Sequence, residues 1–170
     1  PQAGPALGDL ASGTFLAGAI AAALFRKERT GRGAVVDVSL LSAGVWVAAP
    51  GVVASQLYGV DNVPRYRHAD LPNPTVAAYT TRDGRMIYLA GIQTEGHFEN
   101  FCDVIGRPDL VEDPRFASAA ARQSHTRECI AALDEVFAAR DLAEWVRILE
   151  RLTTPWSIVQ TAAEAAVDPQ

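Results

Sequence analysis

The chain has 170 residues, 49% of them apolar, which is enough for one ordinary hydrophobic core or for parts of two and argues against a disordered polymer. Its net charge of -5 is modest and both signs are interspersed, so it lacks the basic stripe that neutralises a phosphate backbone, and nucleic acid is a poor partner. Cys102 and Cys129 stand far apart in helix-like stretches, which fits buried, reduced thiols in a cytoplasmic setting and not a disulfide framework.

The first element expected is a helix from Leu10 to Arg29, with Leu16, Ile20 and Leu24 at four-residue spacing and small residues for close packing. Arg26, Lys27 and Arg29 suit the negative end of its dipole, and Gly31 can take the positive φ that ends it. Its longest apolar run, Thr14 to Phe25, reads as a buried helix and falls short of the ~20 residues that cross a bilayer, so no membrane partner is expected. Val35 to Leu40 reads as a short buried strand, and Leu41 to Tyr58 as a second apolar helix interrupted near Pro50-Gly51. The start at Pro1, with no methionine or leader, and the abrupt stop at Gln170 make both ends read as cut.

Gly59 to Pro74 carries three prolines, two asparagines and several charges without apolar period, as a linker does. Thr75 to Thr81 and Met86 to Ile92 follow as strands joined through Asp83-Gly84, a strong hairpin signal. Helices are expected at 95–105, 119–139 and 142–152, separated by the breaks at Gly106-Arg107-Pro108 and Asp113-Pro114. Ile130, Leu133, Val136 and Phe137 form one apolar face; Trp145, Ile148, Leu149 and Leu152 form another. A last short strand is expected at 157–160.

Several chemistries fail on pattern alone. Gly31-Arg32-Gly33 follows a helix and precedes a strand, the reverse of a dinucleotide fingerprint. His68, His97 and His125 lie on three different elements without metal-ligand spacing, so no metal is expected, and no serine or cysteine stands in a nucleophile motif. Asp9 remains, an acidic residue at the mouth of an apolar helix. It is most simply an N-cap, yet the same helix terminus stabilises a reactive carboxylate, and the two roles are compatible. Arg32 reads as a turn residue pairing with a surface acid or capping the helix before it, and Asp37 as a structural charge with a partner inside its strand. Trp46, Trp145 and Trp156 read as core or dimer-contact residues, and His97 and Glu99 as a solvated helix face.

The ordered set Gly8-Asp9, Ser12-Gly13, Ala22-Ala23-Leu24-Phe25-Arg26, Thr30-Gly31-Arg32-Gly33-Ala34 and Val36-Asp37-Val38-Ser39-Leu40 resembles the central signature of the family III CoA-transferases of CaiB/BaiF type. This group includes formyl-CoA transferases and 2-methylacyl-CoA racemases. Downstream, Asn73-Pro74, Tyr79-x-Thr81-x-Asp83-Gly84, Asp113-Pro114-Arg115-Phe116 with Arg122, and Ala165-x-x-Asp168-Pro169-Gln170 resemble the small-domain pattern of the same family.

The resemblance implies an α/β fold in which this chain is an internal piece of a longer subunit. Residues 1–58 would be the C-terminal part of a Rossmann-like large domain, 59–74 a linker and 75–170 an α+β small domain, and the intact subunits would interlock as a homodimer. It implies a CoA thioester as substrate, no permanently bound cofactor, and a CoA-binding set that lies mostly upstream of Pro1 and stays unassigned here. It implies that Asp9 is the nucleophile which moves CoA from an acyl-CoA to a free carboxylic acid. In the racemase branch the aligned aspartate is one of two acid/base groups, and of the residues near the position of a racemase glutamate Gln93 is the nearer and Glu95 the next acid along. A third reading is an inactive fragment or paralogue that supplies only dimer contacts.

Overall fold

The computed structural model describes residues 6–91 and 96–169, and its contacts divide into two compact units, one up to Arg65 and one from Tyr66 on. The expected boundaries of the second strand at Ile92 and of the following helix at Glu95 lie outside the described residues.

The first unit is helical: α1 (Leu7–Thr30), α2 (Leu40–Val47) and α3 (Ala49–Tyr58). α1 ends as its sequence dictates, with Gly31 at φ 68 donating its N–H to the Lys27 carbonyl at 2.7 Å. α2 packs on α1, with the Phe15 ring edge-on to Trp46 at 5.6 Å between centroids. α2 starts where the Ser39 hydroxyl accepts a bond from the Ser42 N–H. The expected interruption falls at Ala48, where the axis turns by 70°, and Pro50 sits in the first turn of α3, where its missing N–H costs nothing.

Two expectations are corrected in this unit. Val35 to Leu40 is not a strand: residues 32–39 take no regular structure, Val35 and Asp37 are exposed, and Leu40 opens α2. A strand exists only through its ladder, and no described segment pairs with this one, so Asp37 is not a buried charge either. Second, α1 extends over 24 residues, so by length and composition it can cross a membrane, as can α2 and α3 taken together. The Thr14–Phe25 run understated it, because apolar residues continue on both sides. A core helix has the same length and composition. Ser12 is the buried residue of α1, while Leu10, Ile20, Leu24 and Phe25 are exposed.

The second unit is an antiparallel three-stranded sheet covered by helices. β1 (Ala78–Thr80), β2 (Met86–Leu89) and β3 (Trp156–Ile158) lie in the order β1-β2-β3. Thr80 pairs with Met86, and the turn closes with the Thr81 N–H on the Arg85 carbonyl and Gly84 at φ 74, the left-handed conformation that makes glycine the natural choice there. Antiparallel bonding continues past the strands, from Leu89 N–H to the Ala77 carbonyl and from Gly91 N–H to that of Thr75. On β2, Ile87 and Leu89 face the core and Met86 and Tyr88 face out, the period of two that a half-buried strand requires.

The helices are α4 (Phe98–Ile105), α5 (Asp109–Glu112), α6 (Ala119–Ser124), α7 (Thr126–Ala138), α8 (Leu142–Leu149) and α9 (Ala162–Ala165). The single helix expected at 119–139 is therefore two. His125 leaves helical geometry at φ -119, ψ 36, and its Nδ1 lies 3.0 Å from the Ala121 carbonyl. Likewise the helix begun at Leu142 stops at Leu149, short of Leu152.

The core centres on Phe137, stacked on Tyr79 at 5.0 Å and tilted against Trp145 at 4.8 Å, with Ile87, Ile130, Leu133 and Leu149 packed around it. Cys102 and Cys129 are free and fully buried, as expected. Trp145 is in the core and Trp156 packs at its margin, whereas Trp46 is mostly exposed. Residues just ahead of β1 are bound to α7: His68 Nε2 lies 2.8 Å from Asp134, Arg127 pairs with Asp70, and the Thr126 hydroxyl donates to the Leu71 carbonyl at 2.6 Å.

Candidate functional site

Asp9 lies in the first turn of α1 and is exposed. It is not the N-cap. That position belongs to Ala6, whose side chain has nothing to offer the free N–H groups, and the first intrahelical bond runs from Leu10 N–H to the Ala6 carbonyl at 3.0 Å. The helix begins at Leu7, three residues earlier than the expected Leu10, so Gly8 and Asp9 are already helical.

The change of position matters chemically. A cap carboxylate bonds back onto its own helix; a carboxylate at the third helical position shares the positive end of the dipole while its oxygens remain open to solvent. The short side chain of Asp9 is thus held by the backbone at a place where negative charge is favoured. One turn on, the Ser12 hydroxyl donates to the Gly8 carbonyl at 2.6 Å and is buried. That contact was not foreseen from the sequence; the i, i+4 spacing of a glycine and a serine straddling Asp9 was the available signal.

The other residues singled out in the first unit do not converge on Asp9. Arg32 is exposed beyond the end of α1, where the Thr30 hydroxyl accepts a bond from its backbone N–H. Asp37 is exposed in the irregular segment.

In the second unit the structure draws the scattered signature residues together. Asn73-Pro74 and Arg122, 49 positions apart counting from Asn73 to Arg122, line one cleft of about 280 Å³. Arg122 is buried, donates to the Phe116 carbonyl at 2.6 Å, and lays its guanidinium 4.0 Å from the centre of the Phe98 ring. Asn73 Oδ1 accepts from the Thr75 N–H, and the Thr75 hydroxyl sits 2.8 Å from both that oxygen and the Gly91 carbonyl. The Tyr79 hydroxyl donates to the Pro74 carbonyl at 2.6 Å, and burial pushes its pKa up. These motifs therefore knit the second unit together: each binds a loop to the sheet or to a helix. His97 is half-buried with Nδ1 3.4 Å from the Thr153 hydroxyl, and Glu99 is exposed. Glu95 and Gln93 lie outside the described residues.

Comparison with known proteins assigns these features a family. The model of CoA-transferase family III matches residues 1–170, and the chain belongs to that family. It is 32% identical over 164 residues to (R)-2-hydroxy-4-methylpentanoate CoA-transferase of Clostridioides difficile, covering 96% of this chain and 40% of that protein. It is 28% identical over 167 residues to human succinyl-CoA:glutarate CoA-transferase, covering 98% and 37%. Among solved structures, Rv3272 of Mycobacterium tuberculosis superposes with TM-score 0.71 at 31% identity over 96% of this chain and 41% of that one. A CaiB/BaiF family protein of Brucella suis gives 0.74 at 25% identity over 100% and 44%. The chain thus spans about two-fifths of the length of the relatives it matches, as a fragment of such a protein does.

Proposed function

We propose that the subunit containing this chain is a CoA-transferase that moves CoA from an acyl-CoA thioester to a free carboxylic acid, with Asp9 as nucleophile. The observation that carries this reading is an exposed carboxylate in the first turn of α1, at a helix terminus that no side chain caps among the described residues, in a chain matched over its whole length by the family.

The chemistry uses one group four times. An Asp9 oxygen attacks the thioester carbonyl carbon, the C–S bond breaks, and CoA leaves as thiolate from a mixed anhydride. The thiolate attacks the Asp9 carbonyl carbon and releases the donor acid, leaving an aspartyl-CoA thioester. The acceptor carboxylate then displaces the thiolate to form a second anhydride. Finally the thiolate takes the new acyl group and restores Asp9. Carboxylate exchanges for carboxylate at each half-reaction, so no external acid, base or redox partner is consumed. The backbone N–H groups of the first turn favour the negative charge that develops there during each attack.

In the same reading the first unit is part of a Rossmann-like large domain, and the exposed apolar faces of α1, α2 and α3 are covered by the remainder of an interlocked homodimer in the cytoplasm. The likeness over 96–100% of this chain to crystal structures more than twice its length supports that cover over a lipid one.

The test uses the full-length protein, incubated with a panel of short and branched acyl-CoA thioesters and trapped with hydroxylamine. A hydroxamate at Asp9, found by peptide mass spectrometry and missing in Asp9→Ala, is the expected result. Deuterium uptake at the α-carbon of a 2-methylacyl-CoA without any Asp9 adduct would assign a racemase instead.

A further inference from the structure

We infer that Ser12 is the positioning residue of the reactive turn: its hydroxyl pins the Gly8–Asp9 peptide and so fixes where the Asp9 carboxylate points. The inference rests on the reading of Asp9 as nucleophile.

Three observations lead to it. The N-terminus of α1 has no side-chain cap, because Ala6 occupies the cap position, so the first turn is exposed to fraying. Gly8, immediately before Asp9, carries no Cβ and adds backbone freedom where a nucleophile needs a fixed position. Against both, the Ser12 hydroxyl donates to the Gly8 carbonyl at 2.6 Å, a second donor on an oxygen that the helix ladder already engages.

Burial singles out the same residue. Ser12 is 8% exposed on a helix whose large apolar residues are open, and Ala43 is the buried residue of α2. Phe15 and Trp46, three residues beyond Ser12 and Ala43 respectively, are in contact, so the Ser12 face of α1 is the one turned to α2. The hydroxyl is therefore sheltered from water that would otherwise compete for the Gly8 carbonyl. The carboxylate of Asp9 has two side-chain torsions, and its place follows closely from that of its own peptide plane. A loose first turn would spread the nucleophile over several positions, only some within attacking distance of a thioester carbon.

Ordinary helix energetics make the idea separable from a folding role. Alanine is a better helix former than serine, and back-bonding serines slightly destabilise helices, so Ser12→Ala should leave the fold intact. Threonine can make the same bond to the carbonyl four residues back and should restore what alanine loses.

The experiment is performed on the full-length protein: the rate of hydroxylamine-trapped adduct formation at Asp9, together with kcat and KM, for wild type, Ser12→Ala and Ser12→Thr. Ser12→Ala is expected to lower the trapping rate and kcat about tenfold or more with KM nearly unchanged and the thermal midpoint preserved, and Ser12→Thr to recover most of the loss. A wild-type trapping rate in Ser12→Ala overturns the inference, as does an equal loss in both variants. If the wild-type protein forms no adduct at Asp9, the assignment of the nucleophile falls, and this inference falls with it.

Discussion

The indole N–H of Trp145 donates to the backbone carbonyl of Phe137 at 2.9 Å while the two rings lie 4.8 Å apart, so one residue of α8 both satisfies a carbonyl in the last turn of α7 and fills the core beside it. Trp145→Phe keeps most of the volume and loses the bond, leaving a buried carbonyl short of its partner. Denaturant unfolding should show a loss of about 1–3 kcal/mol, and Trp145→Ala, which adds a cavity, about 3–5 kcal/mol.

Arg122 ties the loop at Phe116 to the start of α4 through the Phe116 carbonyl and the Phe98 ring. Arg122→Met preserves the length of the side chain but none of its donors. It should cost about 2–4 kcal/mol in chemical denaturation, well above the effect of a surface arginine such as Arg147→Met.

Gly91 is a glycine for lack of room. A Cβ there would stand 3.1 Å from both Cβ and Oγ1 of Thr75. Gly91→Ala is expected to lower the thermal midpoint through a loss of about 1–3 kcal/mol, because the Thr75 backbone carbonyl stands 3.2 Å away as well and cannot swing aside as a side chain can.

The guanidinium of Arg82 forks onto Asp141 with both bonds at 2.8 Å and holds its carboxyl below the usual range. A carboxyl whose pKa is lower in the folded state adds stability above its unfolded pKa, about 3.9, and this is lost as pH falls through the folded value. Asp141→Asn still caps α8, so the substitution isolates the charge. The variant should melt below wild type at pH 7, and the two melting curves should converge as the pH drops below about 3.9.

Burial pushes the Cys102 thiol up to about 12 and that of Cys129 to about 11, which removes the reactive thiolate at ordinary pH. Neither should react with a disulfide reagent at pH 8 while the protein is folded, and both should react once it is denatured. Rapid modification of the native protein would contradict their burial.

What could be read in advance followed local chemistry. Gly31 after a basic turn, Asp83-Gly84 between alternating runs, and Pro50 inside an apolar stretch each carry their own reason for a stop, a hairpin or a bend. The break at His125 had no glycine or proline to announce it, and the segment 32–39 has a strand's composition without a partner among the described residues. Composition states what a segment tolerates; pairing decides what it becomes. Asp9 was legible as the candidate residue, whereas its place within the turn was not. That place depends on which residue first donates to a carbonyl four back, and a glycine at the boundary gives little indication.

The bonds from Asp134, Arg127 and Thr126 to His68, Asp70 and Leu71 bear on where this chain can be divided in the laboratory. A piece begun at Thr75 would strip Leu71 from its seat on the core and leave two donors and an acceptor of α7 facing water, whereas one begun at Tyr66 carries its own fastening. The gene for a crystallisable second unit should open before the histidine, several codons ahead of the first strand.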